Sequence, residues 1–409
     1  MQATRSTYQF VLRRPFATGI ALVAPLCAAA LVACGGSSSG MASGTSAAGS
    51  ETIASGTITG FGSVIVNAVH YDDAQATVRD GSGALRSRDD LRLGMTIDVR
   101  GSAIVVDANG RPVSSASSIV FASEIVGPVA ANDLAARTLA VLGQTVDIAT
   151  STVFGESLAG GQAALVVGTV VEIYATLDVA SGRYAATRVE AKPAGTTYAL
   201  RGVVSGLDTL ARTFSFGSAR VSYLGVAAVP STLANGHFVR ATIAAAPEAG
   251  GVLTATALSD GAPPIEDHDE AKLEGRVSAF TSIASFSVNG TPVDARGASF
   301  DGGSAGLALG ARVEVEGTIA AGVLVATKVK VEHEDGGDDE EFEVAGPIVS
   351  LNTAAKTFVV REVTVSYAGE VDFRDGTAAD LAVGRKVEVR GKLSTDGTRL
   401  QAERIEFDD

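Results

Sequence analysis

Two short runs concentrate the side chains able to do chemistry. Residues 265–272 read IEDHDEAK and residues 332–341 read EHEDGGDDEE, each a histidine set among carboxylates. Clustered carboxylate oxygens suit hard divalent cations, and an imidazole adds affinity for zinc or copper. The candidate metal ligands are Glu266, Asp267, His268 and Asp269 in the first run. In the second they are Glu332, His333, Glu334, Asp335, Asp338 and Asp339. Neither run carries the aspartate ladder of a calcium loop, and like charges in series also describe a solvated, extended linker. The linker is the favoured reading, and a divalent cation is the one cofactor the sequence admits.

Catalytic groups are sparse. The chain has four histidines, His70, His237, His268 and His333, and none has a serine or cysteine partner at a recognisable spacing. Residues 36–40, GSSSG, fit the pattern of a hydrolase elbow, but they lie in a Gly/Ser-rich tether without the strand and helix an elbow needs. The expectation is a protein that is not an enzyme. With 46 acidic against 32 basic residues the net charge is −14, which excludes backbone binding to nucleic acid.

Arg5, Arg13 and Arg14 precede an apolar stretch that ends in Leu31, Val32, Ala33 and Cys34. This resembles the signal of bacterial lipoproteins, in which such a lipobox precedes the cysteine that takes the lipid. The resemblance implies cleavage before Cys34, acylation there and membrane attachment through the lipid. Gly35 stands where a signal for inner-membrane retention usually has Asp, so the expected location is the outer membrane, facing the periplasm. Cys27 would leave with the signal, so the remainder would have no disulfide.

The rest of the chain repeats itself. A phrase Leu-x-x-Gly-x-x-(Val/Ile)-x-apolar recurs from Leu91, Leu165, Leu233, Leu307 and Leu381, about every 70 residues. Each unit opens on a glycine, at 56, 127, 202, 275 and 346, and its second strand alternates apolar and polar residues. In ARVEVEG, period two sends Val313 and Val315 inward and Glu314 and Glu316 outward. Leu-x-x-Gly then reads as a plug at the barrel end, with the glycine at positive φ. No segment has a long helical period. The fold class is therefore all-β: a tandem string of about five small OB-like five-stranded barrels, each drawn as a meander with a plug between its third and fourth strands.

The expected organisation is a signal peptide at 1–33, a tether at 34–54 and repeat domains at 55–123, 124–193, 198–260, 272–332 and 342–409. Acidic linkers fall at 261–271 and 333–341. The segments GTITGFGSVIVNAVHYD, LRLGMTIDVRG and VGPVAANDLAARTLAVLGQTVDI are similar to a family of bacterial lipoproteins built from tandem domains of unknown function. The likeness extends over nearly all the chain after the signal, strongest in the first two units and weakest in the third. It implies an architecture and no activity. Phe214, Phe216, Phe286 and Phe358 belong to the core by alternation, while Tyr71, Tyr184, Tyr223 and Tyr367 are candidates for outward rings. The functional expectation is a lipid-anchored binding or scaffold module for an envelope protein or glycan. The alternative is a cation-binding envelope protein that uses the acidic linkers.

Overall fold

The computed structural model describes residues 52–244, 251–261, 267–332 and 341–408, and of His268 and Asp269 the backbone alone. Among the described residues every regular element is a strand or a short 3-10 turn, in five barrels of the same plan.

Barrel 2 shows the plan. Its strands are Ile125–Asp133, Thr138–Val141, Gln144–Phe154, Val170–Asp178 and Arg183–Ala191. The first three form antiparallel hairpins, and the last two form another. The fourth strand then pairs antiparallel with the first, and the fifth runs parallel to the third. The order around the barrel is 1-2-3-5-4-1, which corrects the simple meander. A parallel pair needs a long crossover. The plug supplies it by carrying the chain across the barrel end, so the fourth strand lands beside the first.

The same closure recurs in barrel 1, whose first and fifth strands are Thr52–Phe61 and Pro112–Phe121. It recurs in barrel 3, Tyr198–Asp208 to Leu253–Asp260. It recurs again in barrel 4, His268–Ser282 to Val323–Glu332, and in barrel 5, Phe342–Pro347 to Leu400–Phe407. The first strand of barrel 1 thus starts inside the segment read as tether, and that of barrel 4 starts inside the segment 261–271.

The plugs are built alike. Leu91, Leu165, Leu307 and Leu381 are buried, and Leu233 is half-buried. Gly94, Gly168, Gly236, Gly310 and Gly384 all have φ between 82° and 91°. Each of these glycines donates its N–H to a first-strand carbonyl, those of Ile58, Val129, Val204, Val277 and Ile348, at 2.8–2.9 Å. Positive φ turns the amide onto the strand, which is why a residue without Cβ stands there. The glycine that opens each unit has a different cause. A Cβ on Gly56 would lie 2.3 Å from Asn67 Oδ1, on Gly127 2.7 Å from Leu142, and on Gly275 2.1 Å from Asn289. Those neighbours are the first residues of the turn between strands two and three, folded back over the first strand.

The phenylalanines of the second strands are buried, as alternation requires. The tyrosines correct the sequence reading. Tyr71, Tyr184 and Tyr223 are buried in the core, and Tyr367 is half-buried, 5.9 Å from Phe358. Tyr71 and Tyr184 occupy inward positions of a third and a fifth strand, so their rings fill barrel ends.

The barrels are not a linear string. The first strand of barrel 1 pairs in parallel with that of barrel 4, from Thr52↔Glu270 to Ser55↔Leu273. Further along, the same strand pairs in parallel with barrel 5, at Gly60↔Glu343 and Phe61↔Val344. Barrels 2 and 3 join through Val126↔Ala199 and Ile125↔Leu200. Strand edges left open would invite pairing with other chains, and here the neighbouring barrel takes them up.

Candidate functional site

Where the barrels meet lies a partly open cavity of about 620 Å³, lined by residues of all five, with barrel 5 reaching it through Phe342 alone. Its polar walls are outward positions of the strands. On barrel 1, Ser55 and Thr57 of the first strand and Asp98 and Arg100 of the fourth face it, while on barrel 4 Lys272, Glu274 and Arg276 do so. These residues would be solvated on an isolated barrel. Ile53, Ile148, Leu177 and Phe238 make apolar stretches between them.

Glu124 is the node of this wall. It lies between barrels 1 and 2, where its N–H donates to Ile173 O at 2.9 Å and its carbonyl accepts the Arg201 N–H at 2.8 Å. Its carboxylate Oε1 meets Arg201 Nη1 at 2.6 Å, with the two side chains only 7% and 15% exposed. The Arg201 guanidinium also donates to Gly261 O and lies 4.8 Å over the Phe238 ring. Arg240 donates to Ser123 O, and Tyr184 Oη donates to Arg201 O at 2.7 Å. Glu124 Oε2 is buried with no hydrogen-bond partner among the described residues.

Burial pushes the Glu124 carboxyl above the usual carboxylate range, while Arg201 and Arg240 pull it back. Burial likewise pushes up Asp98, against a hydrogen bond from Ser55 and the charges of Arg201 and Arg100. Asp98 keeps part of its surface open to the cavity while protein surrounds it. The other charges are matched in pairs. Lys272 takes Glu314 at 2.8 Å and Glu316 at 3.5 Å, Arg312 takes Glu274 and Glu332, and Arg183 Nε takes Asp147 at 2.8 Å. The cavity therefore offers fixed hydrogen-bonding groups set in apolar surface, as small-ligand sites do.

Of the metal candidates, Asp267 Oδ1 accepts the Ala321 N–H at 2.6 Å. Glu332 pairs with Arg312 at 3.3 Å and Lys330 at 3.2 Å, so both its charge and its lone pairs are engaged. Glu266, His333, Glu334, Asp335, Asp338 and Asp339 lie outside the described residues, as do the side chains of His268 and Asp269. Among the described residues no three His, Cys, Asp or Glu side chains gather as a metal site would. Leu31, Val32, Ala33 and Cys34 also lie outside them. His237 is exposed in its plug, and His70 sits in a third strand with Ser63 Oγ 3.3 Å from its Nδ1.

Glu124, Arg201 and Asp98 were not singled out by sequence. One signal pointed to the region: the residue just before the opening glycine differs between copies, as Ser55, Arg201 and Glu274, and all three line the cavity.

Three segments, residues 126–190, 274–330 and 345–406, match the family model of a domain of unknown function, DUF5666. They coincide with barrels 2, 4 and 5, so three of the five barrels are similar to this domain. Barrels 1 and 3 share the strand order and fall outside the matched segments. No curated protein matches the chain.

Proposed function

We propose that the protein is a non-catalytic binding or scaffold module of the cell envelope, held to the membrane by lipid on Cys34, which recognises an envelope protein or glycan. One observation carries the binding part: a cavity of about 620 Å³ that no single barrel makes and to which all five contribute. Five copies of a small fold joined by bespoke charge pairs give a rigid frame, and a frame assembled around a void suits ligand capture. The wall combines apolar surface with acceptors such as Asp98 and donors such as Arg100, a mixture matched to hydroxyl-rich or peptide-like ligands. The acidic balance argues against nucleic acid as the partner. Attachment at Cys34, with the outer membrane as its site, rests on the lipobox-like residues 31–34.

The test joins both parts. The full chain expressed with Cys34→Ser is expected to lose membrane association and become soluble in the envelope fraction. Immobilised protein is expected to retain a specific envelope component or glycan, and Thr176→Phe, which fills the cavity wall, is expected to abolish that retention. If the Cys34 variant stays membrane-bound, the anchor reading falls. If Thr176→Phe retains the same component, the cavity is not the binding site.

A further inference from the structure

A second cavity, of about 520 Å³, opens where barrels 1, 2 and 5 meet, and it shares no lining residue with the central one. Four arginines and three glutamates, Glu156, Glu190 and Glu362, line it, an excess of positive charge in a chain whose net charge is −14. Two of the arginines are engaged within the protein. Arg188 holds Glu190 Oε1 at 2.6 Å and Leu93 O at 2.8 Å, and Arg92 holds Glu362 at 2.6 Å. The other two differ. Arg361 has no ion pair or hydrogen bond from its guanidinium among the described residues, and lies 5.6 Å over the Phe61 ring of barrel 1. Arg399 is exposed, and its main chain is tied down at both ends: its N–H donates to Ser394 Oγ at 3.1 Å and its carbonyl accepts the Ser394 N–H at 2.8 Å. Its charge helps to hold the Asp396 carboxyl below the usual range, without a hydrogen bond between the two side chains among the described residues. Both line the same cavity, together with Thr364 and with Leu400, whose strands pair at Val365↔Leu400.

The backbone supplies an independent pointer. Arg361 and Glu362 form the turn between strands two and three of barrel 5, with φ of 44° and 63°. The equivalent turns use Asn67-Ala68, Leu142-Gly143 and Asn289-Gly290. Positive φ at two successive residues that are neither Gly nor Asn costs of order 1–2 kcal/mol each. Glu362 recovers some of this by binding Arg92 across the seam. Arg361 makes no such pair, so the strained turn leaves a guanidinium oriented by an aromatic face with its donors open. Backbone strain of this kind marks sites where a side chain must be held in place.

We propose that this cavity is an oxyanion site that takes the phosphate or carboxylate group of a small ligand, with Arg361 and Arg399 as the binding forks. A planar fork matches both groups. The hydroxyls of Ser157, Thr357 and Thr364 line the same cavity and suit the hydroxyls of a sugar carrying the acid. The proposal goes beyond the function given above and does not depend on it.

Calorimetric titration of the protein with glucose 6-phosphate and with glucuronate, at low salt, tests it, with glucose as the neutral control. At least one of the acids is expected to bind and glucose is not; which of them binds separates a phosphate from a carboxylate preference. Arg399→Ala is expected to weaken binding about tenfold, the loss of one charge-assisted hydrogen bond, with an unchanged melting temperature because the side chain is exposed. Arg361→Lys keeps the charge but loses the fork, and is expected to weaken binding while leaving the seam closed. The proposal is overturned if neither acid binds better than glucose at millimolar concentration. It is equally overturned if both variants bind as the unaltered protein does.

Discussion

The barrel interiors and the seams between barrels are built on opposite principles. Inside, five copies use the same solution: a leucine plug, a glycine at positive φ, apolar residues alternating along the fourth strand and an apolar residue closing the fifth. At the seams first strands meet first strands, but their direction and their charges change from seam to seam. Barrel 1 joins barrels 4 and 5 by parallel strands and barrels 2 and 3 join by antiparallel ones, and the ion pairs that cross differ, Glu124–Arg201 at one seam and Arg92–Glu362 at another. The interior answers to a packing requirement that every copy shares, so it stays the same. A seam answers only to its own partner, so the seams have diverged, and both cavities lie there.

Substitution of one residue from each region should separate them. Phe358→Ala empties a fully buried site in barrel 5 and is expected to cost about 3–5 kcal/mol. Arg201→Ala is expected to cost about 3 kcal/mol, because it leaves the buried Glu124 carboxylate without its ion pair and with Arg240 alone to offset its charge. The signatures should differ. Losing an interior contact leaves the urea slope unchanged, whereas losing a seam contact uncouples barrels and lowers the apparent slope or splits the transition. The pH dependence should differ as well. The folded-state pKa of Glu124 is already above its ordinary value, so its charged form opposes folding. The Arg201→Ala deficit should therefore shrink as pH falls through that pKa and be largest at neutral pH. Equal urea slopes for both variants would remove the distinction between interior and seam.

The plug glycines carry the same contrast within one motif. Gly94 and Gly384 have φ of 82° and 88°, so alanine at either is strained by about 1–2 kcal/mol. At Gly384 a Cβ meets open space, but at Gly94 it would lie 2.6 Å from Thr187 O of barrel 2. Gly94→Ala is therefore expected to cost about 3 kcal/mol and Gly384→Ala about 1 kcal/mol, read by urea denaturation. Equal losses would mean that barrel 2 does not press on the plug of barrel 1.

This contrast also explains what was legible in the sequence. The alternation in ARVEVEG and the recurrence of Leu-x-x-Gly revealed barrels, plugs and buried phenylalanines, because packing a small closed barrel imposes the same pattern each time. The strand order was not legible, since a meander and a 1-2-3-5-4 closure bury the same positions. Tyr71 and Tyr184 were misplaced because a hydroxyl suggests an outward ring, whereas a phenol can fill a barrel end and let its oxygen reach a carbonyl, as Tyr184 does with Arg201 O. Glu124 and Arg201 were invisible as a pair because they are 77 residues apart and belong to different barrels. Charged residues on an outward face read as solvated until a neighbour covers them.

Glu343 sits at the seam of barrels 1 and 5, opposite Gly60, with Arg390 at 3.1 Å. Burial and the nearby Glu388 push its carboxyl up to about 6, against the pull of Arg390 and Arg111. A raised folded-state pKa contributes stability that is complete below the ordinary value near 4.5 and is lost as pH rises through about 6. Solvent reaches part of this carboxyl, so the loss falls short of the ~2 kcal/mol of full conversion and is nearer to about 1 kcal/mol. Glu343→Gln has no proton to lose, so its stability should stay flatter between those two pH values while the rest of the curve keeps its shape. A variant whose stability falls over that window as steeply as the unaltered protein would assign the titration to another group.

The smallest effect is expected at an exposed lysine beside Glu332, on the rim of the central cavity. Lys330 Nζ lies 3.2 Å from Glu332 Oε1, but the lysine side chain is 47% exposed and Glu332 keeps Arg312 as a second partner. Solvent screens such a pair, and holding the long side chain in one rotamer offsets much of the Coulomb gain. Lys330→Ala should change stability by no more than about 0.5 kcal/mol and lower the melting temperature by only about 1–2 °C. A loss several times larger would mean that this lysine is covered in the working protein, by a partner or by the acidic segment that follows it in sequence, and would move it from surface to seam.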